Sequence, residues 1–135
     1  MSETPPVPPP PVRIVVADDD RLFARMLRTR LNEHPDLDVV GIAQDGSRAV
    51  ALVEELEPDV VVMDVKMPGV DGVEATRRIR ALPSPPSVVL ITGDDEDADA
   101  RAYEAGAAAY LRKSVDLVSL IDMIVAFSHF VQTGA

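Results

Sequence analysis

The chain of 135 residues is 47% hydrophobic and 27% charged, which excludes a wholly disordered protein and suffices for one domain around one sizeable core. It has no cysteine and only two histidines, His34 and His129, which excludes a disulfide framework, a thiolate zinc site and a thiol nucleophile, and leaves little room for a histidine metal centre or a Ser-His-Asp site. The formal net charge of -10 argues against direct nucleic-acid binding, no apolar run reaches the ~18 residues of a membrane span, no basic patch leads into an apolar stretch at the N-terminus, and the cytoplasm is the expected compartment.

Residues 1–11 hold six of the twelve prolines. They read as an extended polyproline tail with almost nothing to bury, ahead of a single domain over 12–135. Val12 to Ala17 is a short β-branched run that predicts a buried strand, and Asp18, Asp19 and Asp20 follow it. Leu22, Phe23, Met26, Leu27 and Leu31 recur at helical spacing, so Asp20 to about Glu33 reads as an amphipathic helix with Asp20 as its cap. Leu37 to Ala43 predicts a second strand, closed by Asp45 and Gly46. Ala49, Val50, Leu52, Val53 and Leu56 give a second helix that stops before Pro58.

Val60 to Met63 is a third strand ending at Asp64. The loop Pro68, Gly69, Asp71, Gly72 leads into a helix over Val73 to Leu82. Pro83 to Pro86 connects to a fourth strand, Val88 to Ile91, ending at Thr92 and Gly93. Asp95 to Ala105 reads as a helix stopped by Gly106. Ala107 to Leu111 is a fifth strand, ending near Lys113, and Asp116 to Val131 is the last helix. Strands alternating with helices predict an α/β fold, a doubly wound five-stranded parallel sheet flanked by five helices, and the flavodoxin-like order 2-1-3-4-5 is the leading topology.

In that topology the ligand site lies beyond the carboxyl ends of the strands. Four of those ends carry Asp18 and Asp19, Asp64, Thr92, and Lys113. Crowded carboxylates call for a cation, and all-oxygen ligation suits Mg²⁺. A carboxylate can also attack phosphorus to give an aspartyl phosphate. Lys113 and Thr92 would then hold phosphoryl oxygens, and Gly93 would leave space for the group to arrive. Each residue alone has an ordinary explanation as a turn, cap or solvated side chain; their joint placement carries the reading.

The segments VVADDD, VVMDVKMPGVDG, VLITGD and GAAAYLRKS resemble the signature blocks of the response-regulator receiver domain of two-component signalling, from about Val12 to the last helix. The resemblance implies that Asp64 is the phosphoryl acceptor. It implies Mg²⁺ bound by Asp18, Asp19 and Asp64 and by the backbone carbonyl of Lys66, with Asp19 more direct than Asp18. It makes Thr92, Gly93 and Lys113 the phosphate-binding set, and Thr92 with Tyr110 the switch that remodels the face of helix four, strand five and helix five. The implied partner is a histidine kinase or phosphotransfer protein, and the only implied activities are self-phosphorylation and self-dephosphorylation. Where many receivers have proline after the lysine, this chain has Ser114.

Lys66 and Asp94 flank the acceptor. Their opposite charges either pair across the cleft and shield the acyl phosphate, or stand solvated. The acidic run Asp94, Asp95, Glu96, Asp97 and Asp99 reads as helix-start charge, and Arg21, Arg25, Arg28 and Arg30 make the first helix basic. On the last helix Leu117, Leu120, Ile121, Ile124, Phe127 and Val131 suffice to cover the sheet. Val118, Met123, Val125 and Phe130 widen the stripe further, which calls for a second contact: a dimer mate, the proline-rich tail or a further domain. Competing readings are the receiver part of a longer DNA-binding transcription regulator, an aspartyl-phosphate phosphohydrolase using the Asp-x-Asp of residues 18–20, and a receiver-like module that signals without phosphate.

Overall fold

The computed structural model describes residues 6–93, 98–113 and 116–133. Five strands, β1 (Val12–Ala17), β2 (Leu37–Ala43), β3 (Val60–Asp64), β4 (Ser87–Thr92) and β5 (Ala109–Arg112), alternate with α1 (Arg21–Asn32), α2 (Gly46–Leu56), α3 (Gly72–Arg80), α4 (Ala98–Ala105) and α5 (Leu117–Thr133). The strands are parallel in the order β2-β1-β3-β4-β5, as the alternating pattern predicts. The β1–β2 register shifts once, between Ile14 and Val15. β5 begins two residues later than expected and runs one further, so Lys113 stands immediately beyond it.

Every residue of β3 is buried, because helices cover both faces of the sheet and a parallel centre strand has no wet side. On one face Val15, Met63 and Leu90 pack with Leu52 and Val53 of α2, Val73 and Ile79 of α3 and Ala102 of α4. On the other, Ile14, Val62 and Ile91 pack with Leu27 and Leu31 of α1 and Leu120 and Ile124 of α5. Val125 belongs to this second core, at 9% exposure, and not to the outward strip where the helical wheel puts it. α5 packs against α1 as well as β1, which widens the stripe it must bury. Val118, Met123 and Phe130 remain exposed.

The acids that punctuate the sequence act as caps. Asp20 accepts from the Phe23 amide at 3.1 Å, Asp45 from Arg48 at 2.8 Å and Asp71 from Glu74 at 2.8 Å, each worth about 1 kcal/mol. Asp116 accepts from both the amide and the hydroxyl of Ser119, at 2.8 and 2.9 Å. Gly106, at φ 100°, ends α4 where a side chain would be strained. Pro6 to Pro11 are exposed with no regular structure, and the carbonyl of Pro10 accepts from Gln132 Nε2 at 3.4 Å. No described helix is long and apolar enough to cross a membrane.

Candidate functional site

The loops that leave the carboxyl ends of β1, β3 and β5 bring three acids and a lysine together. The β1–α1 loop is held by Asp18, which is 2% exposed and whose Oδ1 accepts from the Asp20 amide at 2.8 Å. This contact turns Asp19 outward, where it is exposed. The β3–α3 loop is compact, with Gly72 N donating to Val65 O at 2.7 Å. A Cβ built on Gly72 would lie 2.2 Å from the carbonyl oxygen of Asp64, so the loop closes this tightly only because the position is glycine.

Asp18, Asp19 and Asp64 each place a carboxylate oxygen within 4.8 Å of one another. Lys113 Nζ lies 2.8 Å from Asp18 Oδ2 and 3.2 Å from Asp64 Oδ2. Asp64 Oδ1 faces the Lys66 amide at 3.4 Å. Three carboxylates against one ammonium leave a formal charge of -2 in this cluster. An all-oxygen donor set of that charge fits a hard divalent cation and does not fit a soft one.

Electrostatics follow the packing. Burial pushes the Asp64 carboxyl up from its ordinary 3.8, and the charge of Asp18 adds to the rise, while Lys113 and the Lys66 amide pull it back. Burial acts downward on the Lys113 ammonium, but its bond to Asp18 and the charges of Asp64 and Asp18 outweigh that and raise it above 10.5. Lys113 therefore stays charged, and the site holds a carboxylate whose negative charge is crowded.

Thr92 is buried at the end of β4, and its carbonyl accepts from the Lys113 amide at 2.8 Å. Leu90 pairs in register with Tyr110. Residues two apart share a strand face, so Thr92, Leu90 and Tyr110 lie on the side of the sheet that α4 covers. Tyr110 is half-buried there against the core. A Cβ built on Gly93 meets nothing within 4 Å, so the approach over it is open. The Lys66 side chain is exposed, while Asp94, its expected counterpart, lies outside the described residues, as do Ser114 and the acidic run through Asp97.

Two residues have positions that the sequence reading did not single out. Phe23 reads as an ordinary apolar position of α1, yet Lys113 Nζ sits 4.3 Å above its ring, a cation–π contact that helps hold the ammonium over the acids. Arg101 of α4 lines a cleft of about 360 Å³ together with Asp19, Val65, Lys66, Met67 and Asp71. Neither placement has a linear signal, since each depends on how a helix docks.

The match to known proteins decides the family: the model of the response regulator receiver domain matches residues 14–125. The chain is a receiver domain of that family. Among its relatives, the transcriptional regulatory protein LiaR of Bacillus subtilis is 41% identical over 118 residues, 87% of this chain and 56% of LiaR. The transcriptional regulatory protein PdtaR of Mycobacterium tuberculosis is 41% identical over 121 residues, 89% of this chain and 58% of PdtaR. The solved receiver domain of NarL from Mycobacterium tuberculosis superimposes with a TM-score of 0.82 at 34% identity, over 90% of this chain and 98% of that one. The response regulator domain of CheB from Thermotoga maritima gives 0.82 at 27% identity, over 91% and 97%. The receiver spans about half the length of the first curated relatives it matches.

Proposed function

We propose that this receiver takes a phosphoryl group from a histidine kinase or phosphotransfer protein onto Asp64, and that the group controls the face formed by α4, β5 and α5. The observation that carries the reading is the placement of the Asp64 carboxylate, 3.2 Å from the Lys113 ammonium and within 4.8 Å of the carboxylate oxygens of Asp18 and Asp19. A crowded carboxylate next to a fixed cation is equipped to attack phosphorus and to have the new charge compensated.

The ion that suits the acids is Mg²⁺, held by Asp18, Asp19, Asp64 and the Lys66 carbonyl, with Asp19 a more direct ligand than Asp18. Bound there, it neutralises the carboxylates and the arriving phosphoryl oxygens. Lys113 exchanges part of its contact with Asp18 and Asp64 for a phosphoryl oxygen. Thr92 donates its hydroxyl to another, and the approach runs over Gly93. Withdrawal of the Thr92 side chain opens space on the face it shares with Tyr110, whose ring moves inward to fill it. A phosphoryl group adds nearly two negative charges and three strong acceptors, which is enough to bias such a two-state element.

α5 leaves Val118, Met123 and Phe130 exposed. The Gln132–Pro10 hydrogen bond favours the proline-rich segment over a dimer mate as the second contact of this helix. Deleting residues 1–11 and measuring the association state by light scattering separates the two. The names and lengths of the transcriptional regulatory proteins LiaR and PdtaR favour a second reading at the level of the whole protein, in which the receiver governs a transcriptional output; the length of the gene decides it. No observation favours the phosphohydrolase.

The test is incubation with acetyl phosphate, or with beryllofluoride, in Mg²⁺. The wild type gains one acid-labile phosphoryl group per chain, and Asp64→Asn gains none. Continuous turnover of phosphate esters by Asp64→Asn would refute the reading.

A further inference from the structure

Lys113 is held by more than the acids it compensates. Its Nζ lies 2.8 Å from Asp18 Oδ2 and 3.2 Å from Asp64 Oδ2, and 4.3 Å from the centroid of the Phe23 ring. These contacts belong to a closed circuit at the start of α1. Asp18 Oδ1 accepts from the Asp20 amide at 2.8 Å, and Asp20 Oδ1 accepts from the Phe23 amide at 3.1 Å. The Phe23 ring carries Lys113, and Lys113 returns to the other oxygen of Asp18. One carboxylate thus fixes both the helix turn that presents the ring and the ammonium that the ring faces. Core packing alone does not account for this placement. The fully buried stripe of α1 is Ala24, Leu27 and Leu31, whereas Phe23 packs against that core while only partly buried.

We infer that Phe23 is a positioning residue: its ring face holds the Lys113 ammonium in place for a phosphoryl oxygen and so sets how well the site binds a phosphoryl group. The inference rests on the proposed phosphorylation of Asp64. An aromatic face attracts a cation through its quadrupole yet carries no net charge. It therefore holds the ammonium without neutralising it. A further carboxylate in its place would bind the ammonium more strongly but would also repel the arriving phosphoryl group. When Lys113 exchanges its contact with Asp64 for a phosphoryl oxygen, Phe23 and Asp18 remain as its anchors. Without the ring, the flexible lysine stem has to be ordered as the phosphoryl group binds, and that entropy cost falls on the binding step.

The experiment measures beryllofluoride affinity and the initial rate of labelling by acetyl phosphate, both in Mg²⁺. It compares the wild type, Phe23→Leu, Phe23→Tyr, and proteins carrying mono-, di- or trifluorinated phenylalanine at position 23. Phe23→Leu, which keeps an apolar side chain against the core, lowers both quantities about fivefold, as expected for one cation–π contact. Phe23→Tyr restores most of the loss. Fluorine withdraws electron density from the ring face while leaving the ring slightly larger and more apolar, so affinity falls stepwise with each fluorine, whereas a packing role gives no fall. In metal-free wild type the ring current shifts the NMR signals of the Lys113 ε-methylene protons upfield, and the shift disappears in Phe23→Leu. Fluorinated proteins that all bind beryllofluoride as the wild type does, or ε-methylene signals unchanged by Phe23→Leu, would overturn the inference. Failure of the wild type to bind beryllofluoride or to be labelled would instead refute the phosphorylation of Asp64 itself.

Discussion

The amide of Lys113 donates to the carbonyl of Thr92 at 2.8 Å, so the cation of the site and the hydroxyl at the end of β4 are parts of one backbone unit. Displacement of either is transmitted to the other. The Lys113 side chain at the same time spans Asp18 and Asp64 and rests on Phe23. The charge state of the acids, the position of Thr92 and the packing of α1 are therefore mechanically joined.

Removing the ammonium leaves two buried acids without their counter-charge. Lys113→Met is expected to lose about 2–3 kcal/mol in urea unfolding with chelator present, and to recover part of it when Mg²⁺ is added. An unchanged midpoint would mean that the lysine is not compensating these carboxylates.

Asp64 behaves in the opposite sense. Its proton is held more tightly in the folded protein than in the unfolded chain, chiefly by burial and then by the charge of Asp18. Stability contributed by this group is therefore greatest below the ordinary 3.8 and falls as pH rises through the elevated folded value. In metal-free buffer Asp64→Asn is expected to be more stable than wild type above that window, with the difference vanishing toward acid pH. Mg²⁺ is expected to raise the Tm of wild type and much less that of Asp64→Asn. A wild type that matches the variant from pH 4 to pH 7 without metal would contradict this electrostatic picture.

Gly72 tests the backbone of the site independently of charge. Its Cβ would lie 2.2 Å from Asp64 O and 3.0 Å from the Val65 Cα, backbone atoms that cannot rotate away. Gly72→Ala is expected to cost about 2–4 kcal/mol and to lower Mg²⁺ affinity, because relief requires the loop to move away from Asp64. Thermal denaturation with and without Mg²⁺ measures both effects.

The coupling to β5 has its own signature. Beryllofluoride is expected to change hydrogen exchange around Tyr110 in wild type but not in Thr92→Ala, while beryllofluoride still binds both. Equal changes in the two proteins would separate Thr92 from the motion of Tyr110.

Strand runs, the Asp20 cap and the assembly of Asp18, Asp19, Asp64 and Lys113 were legible in the sequence. β-branched runs in a parallel sheet report burial directly, and four of the five strands end at or next to a site residue. Asp20 stands at a helix start, where a short acid satisfies a free amide, whereas Asp45 and Asp71 read as turn and loop residues and prove to be caps only in the folded chain. What was not legible depends on neighbours that no single element records. Val125 is buried because α5 meets α1 as well as the sheet. Phe23 has the apolar signature of any core position, although its ring carries Lys113. Arg101 is one more arginine on a helix until α4 docks beside the cleft. Gly72 reads as a turn residue, and only the folded loop shows which carbonyl it admits.

The most direct test of the central claim is to trap the phosphorylated residue chemically. After reaction with acetyl phosphate in Mg²⁺, borohydride reduction converts an acyl phosphate to the corresponding alcohol, and peptide mass spectrometry locates it. The account predicts homoserine at position 64 alone, at a yield equal to the phosphoryl content. Homoserine at position 18 or 19 instead, or phosphorylation that survives Asp64→Asn at the wild-type level, would contradict it.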